Sequence, residues 1–134
     1  MRIFLDTNVL VSAYASRGIC ADLLRFILSE HELVTGEVVL DELRRVLGDR
    51  FGATGDQLDA IESALRSETI APRPAAPSAL PVHDFADRWV LASAIEAGVD
   101  LLVTGDKDLL EIAHLSLIPI VDPRGCWERL RGPV

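Results

Sequence analysis

Two short, unbroken apolar runs dominate the hydrophobic pattern of the chain, and an acidic residue follows each of them closely. Residues 3–5 form the first run, which Asp6 follows directly. Residues 101–103 form the second run, and Asp106 lies shortly beyond its end. Both runs lead into apolar residues at helical spacing. A buried parallel strand that runs into a helix has this pattern, so we predict that one strand-to-helix unit is used twice.

The rest of the chain alternates between weaker strand patterns and helical patterns. The weaker strand patterns cover residues 32–35, 68–71 and 118–121. The helical patterns cover residues 9–15, 20–29, 37–47, 55–67, 84–97, 109–113 and 123–131. Strands that alternate with helices indicate an α/β sandwich around a mostly parallel sheet.

One stretch, residues 71–81, fits neither pattern because it contains four of the chain's 7 prolines. Proline fixes one backbone angle and lacks the N–H that a helix or a central strand needs. We predict a rigid crossover loop that joins the two halves of one sheet. With 134 residues, of which 49% are hydrophobic, the chain can fill one core, and we predict a single domain over residues 1–134.

The charge balance limits how the chain could meet nucleic acid. It carries 13 basic and 21 acidic residues, a formal net charge of −8. A protein that holds nucleic acid by general electrostatic attraction has the opposite balance. A role with nucleic acid must therefore depend on a local site. The acidic excess is also typical of carboxylates gathered around cations, or of a surface that meets a basic partner.

Cysteine content and hydropathy exclude further classes of protein. Cys20 and Cys126 lie far apart and belong to no Cys-x-x-Cys pattern, so we predict buried thiols, without a disulfide or a zinc site. No apolar run approaches the roughly 20 residues that a membrane-spanning helix needs. We expect a soluble, cytoplasmic protein with no membrane role.

Asp6 and Asp106 both follow predicted strands closely. In an open parallel sheet, ligands bind beyond the carboxyl ends of the strands, where the strand order reverses. Each aspartate is also a candidate helix N-cap, because a side-chain oxygen there accepts a hydrogen bond from the first helical turn. Position alone leaves both interpretations open.

Helix geometry adds Asp87 as a third candidate. At 100° per residue, Asp87 lies on the same face of its predicted helix as Val90, Leu91 and Ala94, which must face the core. The carboxylate of Asp87 is therefore predicted to point inward. The alternative is a first-turn residue that the helix dipole favours, with Asp84 as the N-cap.

Glu42 is the fourth candidate, on the predicted helix over residues 37–47. It borders the apolar stripe that includes Leu43 and Val46, whereas Asp41 points to the opposite side. We predict that Glu42 leans inward and that Asp41 faces solvent. The alternative is an exposed Glu42 that pairs with Arg45 one turn later.

Four carboxylates in one cleft would repel one another unless a cation holds them together. A ligand set made only of oxygen atoms suits Mg²⁺ or Mn²⁺, whereas zinc prefers histidine or cysteine. Such ions bind substrate phosphates and support hydrolysis at phosphorus. The four candidates, Asp6, Glu42, Asp87 and Asp106, therefore indicate metal-dependent phosphoester chemistry.

Three segments of the chain together resemble the PIN-domain family. They read FLDTNVLVSA at the amino end, TGEVVLDELRRVL in the first half and DFADRWVLASAIEAGVDLLVTGDKDLL after the proline-rich stretch. The resemblance covers nearly the whole chain. It is greatest to the VapC-like ribonuclease toxins of toxin–antitoxin pairs, also described as PIN-family toxin components.

The resemblance implies a fold, an activity and a site. The fold would be a three-layer α/β/α sandwich around a parallel sheet, and the activity a metal-dependent endoribonuclease with Mg²⁺ or Mn²⁺ as cofactor. The matching positions would hold the metal and act in catalysis; they are Asp6, Glu42, Asp87 and Asp106. Asn8 and Thr104 match polar positions that support those acids.

Asp84 and Asp108 lie close to the matched acids along the chain. Asp84 is a candidate supporting residue. Asp108 is either a fifth acid of the site or the N-cap of the next helix, and we favour the cap. Candidate contacts to the RNA backbone are Arg17, Arg88 and Lys107, because they lie near the expected cleft.

The resemblance also implies partners. The substrate would be RNA, and a cognate antitoxin protein would inhibit the nuclease by directing a basic side chain to the acids. By analogy with the family, we expect a homodimer.

Two other functions compete with this interpretation. The first is a haloacid-dehalogenase-like phosphatase, because its strand-end Asp-x-Asp pattern is partly imitated here, although Asn8 occupies the place of its acid catalyst. The second is a catalytically inert PIN-like module that only binds other proteins. Retention of all four acids favours an enzyme over the inert module.

Overall fold

In a computed structural model that describes residues 1–131, five parallel strands form one sheet. The strands are β1 (Arg2–Leu5), β2 (Glu32–Gly36), β3 (Thr69–Ala71), β4 (Leu101–Val103) and β5 (Ile120–Val121). The helices are α1 (Thr7–Ala15), α2 (Ile19–Glu30), α3 (Glu37–Phe51), α4 (Gly55–Arg66), α5 (Phe85–Glu96), α6 (Lys107–Glu111) and α7 (Pro123–Arg131), with a 3₁₀ turn over Ala113–Leu115.

The strand order is β3-β2-β1-β4-β5, so β1 lies in the middle of the sheet. Ile3, Phe4 and Leu5 are all fully buried. Because successive side chains of a strand point to opposite faces, both faces of the sheet are covered. The predicted α/β fold with a three-layer arrangement and a parallel sheet is therefore confirmed.

The chain first builds β1, β2 and β3 in one direction and then returns, so that β4 pairs with the other side of β1. The strand order thus reverses between β1 and β4. This is the topological position at which open parallel sheets bind their ligands. Backbone pairing continues to the site, because the N–H of Asp6 donates to the carbonyl of Val103 over 3.0 Å.

The proline-rich stretch makes this return possible. Residues 72–84 contain neither helix nor strand, which confirms the predicted loop over residues 72–81, whereas Ala71 belongs to the edge strand β3. The loop is fastened to α5, because Ser78 N donates to the Arg88 carbonyl over 2.9 Å and Arg88 Nε donates to the Val82 carbonyl over 3.0 Å. Arg88 is therefore used to hold the loop.

The elements differ from the predicted ranges mainly at their ends. Helix α3 continues to Phe51 and ends at Gly52, whose positive φ of 67° closes the helix in the left-handed region that glycine tolerates. Strand β5 begins only at Ile120, two positions later than predicted. Pro119 immediately precedes this strand and cannot donate to a ladder.

One close approach in the core depends on glycine. At Gly36, where β2 leads into α3, a Cβ atom would lie 2.5 Å from Ser93 Oγ on α5. Ser93 is buried, and its hydroxyl has no hydrogen-bond partner among residues 1–131. The missing side chain at Gly36 therefore allows α5 to pack closely against the end of β2.

Both cysteines are free and buried, as predicted. Burial raises the pKa of the Cys126 thiol to about 12, so this thiol is protonated and packs as an apolar group. No helix within residues 1–131 is both long and apolar enough to cross a membrane.

Candidate active site

A cavity of about 210 Å³ opens at the place where the strand order reverses. It is lined mainly by polar and charged side chains from several different elements. These residues are Asp6, Thr7, Asn8, Glu42, Arg45, Val46, Arg50, Asp84, Ala86, Asp87 and Asp106. The structure therefore brings together the four acids selected from the sequence, together with Asn8 and Asp84.

Asp6 is the most buried of these acids, with only 3% of its surface exposed. It is also the N-cap of α1, because its Oδ1 accepts from Thr7 N over 2.7 Å. Its Oδ2 accepts from Thr104 Oγ1 over 2.7 Å and from Asn8 Nδ2 over 3.3 Å. The capping interpretation and the site interpretation thus hold for the same residue.

Burial raises the pKa of Asp6 from 3.8 to about 6. The hydrogen bonds from Thr104 and Thr7 lower this pKa in part, because they stabilise the carboxylate. The nearby negative charges of Glu42 and Asp106 raise it again. Because the pKa of Asp6 lies close to neutral pH, a small change in its surroundings alters the charge of its carboxyl group.

Thr104 connects the two strand-end acids. Its buried hydroxyl donates to Asp6 Oδ2 and accepts from Asp106 N over 3.0 Å. Asn8 adds a second link, because its Oδ1 accepts from Gly105 N over 2.9 Å and its Nδ2 lies 3.4 Å from Thr104 Oγ1. A hydroxyl has one proton and two lone pairs, so Thr104 uses its full capacity here. The structure thus places Asn8 and Thr104 where they hold the acids in position.

Asp87 lies at the start of α5 with 8% of its surface exposed, so its side chain points inward as predicted. Its Oδ2 is buried and has no hydrogen-bond partner within residues 1–131. Burial, together with the neighbouring carboxyl groups of Asp106 and Asp6, raises the pKa of Asp87 to about 8. Without a cation, burial and these like charges therefore favour the protonated form of Asp87.

Glu42 reaches the cavity from α3 and remains partly exposed. Its Oε2 accepts from Thr7 Oγ1 over 3.2 Å, which ties α3 to the start of α1. Arg45 lies 4.0 Å from Glu42, so the alternative ion pair is present but long. Asp41 points away and pairs with Arg73 over 2.7 Å, which agrees with the prediction that it faces solvent.

Asp84 and Asp108 lie at the starts of α5 and α6, and only Asp84 caps its helix. Asp84 is the N-cap of α5, accepting from Ala86 N over 2.9 Å, and it also lines the cavity. The preferred interpretation of Asp108 as a cap is wrong, because Asp106 caps α6 by accepting from Asp108 N over 2.9 Å. The Asp108 carboxylate instead lies within 4.8 Å of those of Asp84 and Asp87.

This donor set fits a hard divalent cation. The cavity offers carboxylate oxygens, and within residues 1–131 it offers no cysteine or histidine. The buried, unpartnered Oδ2 of Asp87 is the kind of atom that a cation would satisfy. Oxygen donors of this type suit Mg²⁺ or Mn²⁺.

Sequence reasoning missed the basic side chains of the cavity. Arg45 and Arg50 line it, whereas Arg17, Arg88 and Lys107 do not. The available signal was the helical spacing on α3, which puts both arginines one to two turns beyond Glu42.

Comparisons with known proteins identify a family and similar folds. The sequence pattern of the family described as PIN domain matches residues 2–108. A comparison with curated protein sequences gives no match. The fold is similar to VapBC-1 from nontypeable Haemophilus influenzae, with 20% identity, a TM-score of 0.64 and coverage of 92% of this chain and 99% of that one.

Two further structures share the fold. VapBC2 from Rickettsia felis, solved bound to a DNA fragment from their promoter, has 15% identity and a TM-score of 0.61 over 91% of this chain and 98% of that one. VapC20 from Mycobacterium tuberculosis, described as a sarcin-ricin loop cleaving toxin, has 18% identity and a TM-score of 0.59 over 81% and 93%. Since the family pattern spans β1 to the start of α6, including all four candidate acids, the chain belongs to the PIN domain family.

Proposed function

We propose that this protein is a metal-dependent endoribonuclease that acts as the toxin of a type II toxin–antitoxin pair. The observation that carries the proposal is the convergence of Asp6, Glu42, Asp87 and Asp106 on one cavity where the strand order reverses. The family match supports it. The fold shared with VapC20, a toxin that cleaves the sarcin-ricin loop, points in the same direction.

In this proposal the four acids would hold Mg²⁺ or Mn²⁺ in the cavity. A bound divalent cation supplies positive charge for the developing negative charge on phosphate and makes water a stronger nucleophile. Thr104 and Asn8 keep the Asp6 carboxylate oriented toward the cavity. Burial and the neighbouring carboxyl groups raise the pKa of Asp87, so a cation bound there would favour loss of its proton.

A matched pair of variants on α3 tests the nuclease proposal. Glu42→Gln removes a carboxylate that lines the cavity, whereas Asp41→Asn removes the neighbouring carboxylate on the opposite side. We expect Glu42→Gln to lower kcat/KM for RNA cleavage about a hundredfold, and Asp41→Asn to leave it within about twofold. Cleavage should require Mn²⁺ or Mg²⁺ and stop in EDTA.

The same assay separates the enzyme from an inert binding module. A module of that kind would show no cleavage that depends on both the metal and Glu42. Cleavage that persists in EDTA, or that Asp41→Asn lowers as much as Glu42→Gln, would contradict the assignment of the site. The phosphatase alternative has no support from the family match, and Asn8 is engaged in a structural link to Gly105.

The toxin part of the proposal includes partners. The protein would cleave RNA, be inhibited by a cognate antitoxin protein and pair as a homodimer. Expression of the wild-type chain should arrest growth of a bacterial host, while Asp106→Asn should not. Growth arrest by both would show that toxicity does not come from the acids, and a monomeric mass in light scattering would contradict the dimer.

A further inference from the structure

Two arginines on α3 share the cavity with the candidate acids. Arg45 and Arg50 both line it, on the wall to which Glu42 belongs. At 100° per residue, Arg45 lies on one flank of Glu42 and Arg50 on the other. The wall that α3 contributes therefore presents a carboxylate between two guanidinium groups.

Both guanidinium groups are available for a ligand. Arg45 is 64% exposed, and its one ion pair, to Glu42, spans 4.0 Å. Arg50 is exposed and forms no ion pair with any other residue between positions 1 and 131. By contrast, ion pairs to acidic residues engage Arg2, Arg25, Arg44, Arg66 and Arg73.

The charge of the cavity favours a role for these arginines in binding phosphate. Five carboxyl groups and two guanidinium groups line it, in a chain whose formal net charge is −8. A phosphate backbone that approaches such a surface is repelled, and a cation between the acids neutralises only the phosphate that it contacts. Phosphates on either side need other positive groups, and a guanidinium can bind a phosphate through two parallel hydrogen bonds.

Building on the proposed nuclease function, we propose that Arg45 and Arg50 bind the backbone phosphates that flank the scissile phosphodiester of RNA. They are positioning residues, because they act on the strand and not on the reacting atoms. Phosphate contacts carry no sequence information, so the effect of removing them is expected to be the same for different RNA sequences.

Binding of a fluorescein-labelled, single-stranded RNA of mixed sequence tests this inference by anisotropy. Ca²⁺ replaces Mg²⁺ or Mn²⁺ as the divalent cation in the binding buffer. The length of the RNA is checked at the end of each titration to verify that the RNA is intact. We compare the wild type with Arg45→Gln, Arg50→Gln and the double variant. Arg44→Gln is the matched control, since it removes the same charge from the next position on α3 but loses only the pairs with Asp59 and Glu62.

We expect the double variant to raise Kd about tenfold and to reduce the slope of log K against log salt by about 0.7 for each arginine lost. Arg50→Lys should restore the salt slope, because it restores the charge. In cleavage with Mn²⁺, the Gln variants should raise KM and leave kcat within about twofold. Unchanged Kd and salt slope in the double variant, or an equal loss in Arg44→Gln, would overturn the inference.

The outcomes for the two proposals can be told apart. If Asp106→Asn abolishes cleavage while the double arginine variant binds RNA like the wild type, the nuclease proposal stands and the arginine inference fails. If the arginine variants lose affinity and salt dependence while Asp106→Asn cleaves as the wild type does, the arginines bind RNA and the assigned catalytic site is wrong.

Discussion

The buried acids of the cavity make the stability of the metal-free protein depend on pH. In the unfolded chain, Asp6 ionises with a pKa of 3.8, but in the folded protein it ionises only at about 6. Between these values the folded state binds the proton more tightly, so stability falls as pH rises. The contribution is fully present below about pH 4 and is lost above the folded pKa.

The size of the effect follows from the pKa difference. For Asp6 the whole change amounts to about 3 kcal/mol, of which about 1.5 kcal/mol falls between pH 5 and pH 8. Asp87 adds to the fall in the same range, because its folded pKa is about 8. Glu37 has the opposite sign, since its pKa is lowered by Arg66, but it is ionised in both states above about pH 5.

Urea unfolding in EDTA, followed by circular dichroism at a series of pH values, measures this change. We expect the free energy of unfolding to fall by at least about 1.5 kcal/mol from pH 5 to pH 8. Asp87→Asn should flatten the profile, and Asp41→Asn should leave it unchanged. Saturating Mn²⁺ should stabilise the protein more at pH 8 than at pH 5, because it binds the ionised acids. A free energy that is constant or rises from pH 5 to pH 8 in EDTA would refute the reasoning.

Two further substitutions test the packing and the polar links around the site. Gly36→Ala should lower the free energy of unfolding, measured in urea, by about 1–3 kcal/mol, because its Cβ would lie 2.5 Å from Ser93 Oγ. Adding Ser93→Ala should recover most of this loss, and no recovery would mean that the clash lies elsewhere. Thr104→Val should lower the free energy of unfolding by about 1–3 kcal/mol and reduce RNA cleavage, since Asp6 loses a donor and the Asp106 N–H loses its acceptor. Thr104→Ser should keep the stability and the cleavage, and equal losses in the two variants would point to packing of the methyl group.

The sequence predicts those parts of the site that depend on local spacing. Asp6 and Asp106 follow apolar runs, and Asp87 lies at helical spacing from apolar residues, so their placement needs only the geometry of strands and helices. The sequence does not predict the strand order, because β1 and β4 pair across almost one hundred positions and no local pattern encodes that register.

Local spacing also fails to predict that Arg45 and Arg50 belong to the site. Arg45 and Arg50 line the cavity only because α3 packs beside α1, which the link from Thr7 to Glu42 reflects. Asp106 and Asp108 are both candidate caps in the sequence, since both precede apolar residues of the same short helix. Which of two nearby aspartates turns back to its helix depends on side-chain packing, and Thr104 holds the backbone at Asp106 in the capping position.

The pairing of β1 with β4 also sets when during synthesis the cavity can form. Asp6 is synthesised 98 positions before Thr104, yet its carboxylate accepts from the Thr104 hydroxyl and its backbone N–H donates to the carbonyl of Val103. Until Thr104 is made, the chain has neither the strand that completes the cavity nor the hydroxyl that orients Asp6. The cavity, and any chemistry that depends on all of its acids, can therefore form only after β4 and Thr104 have been synthesised.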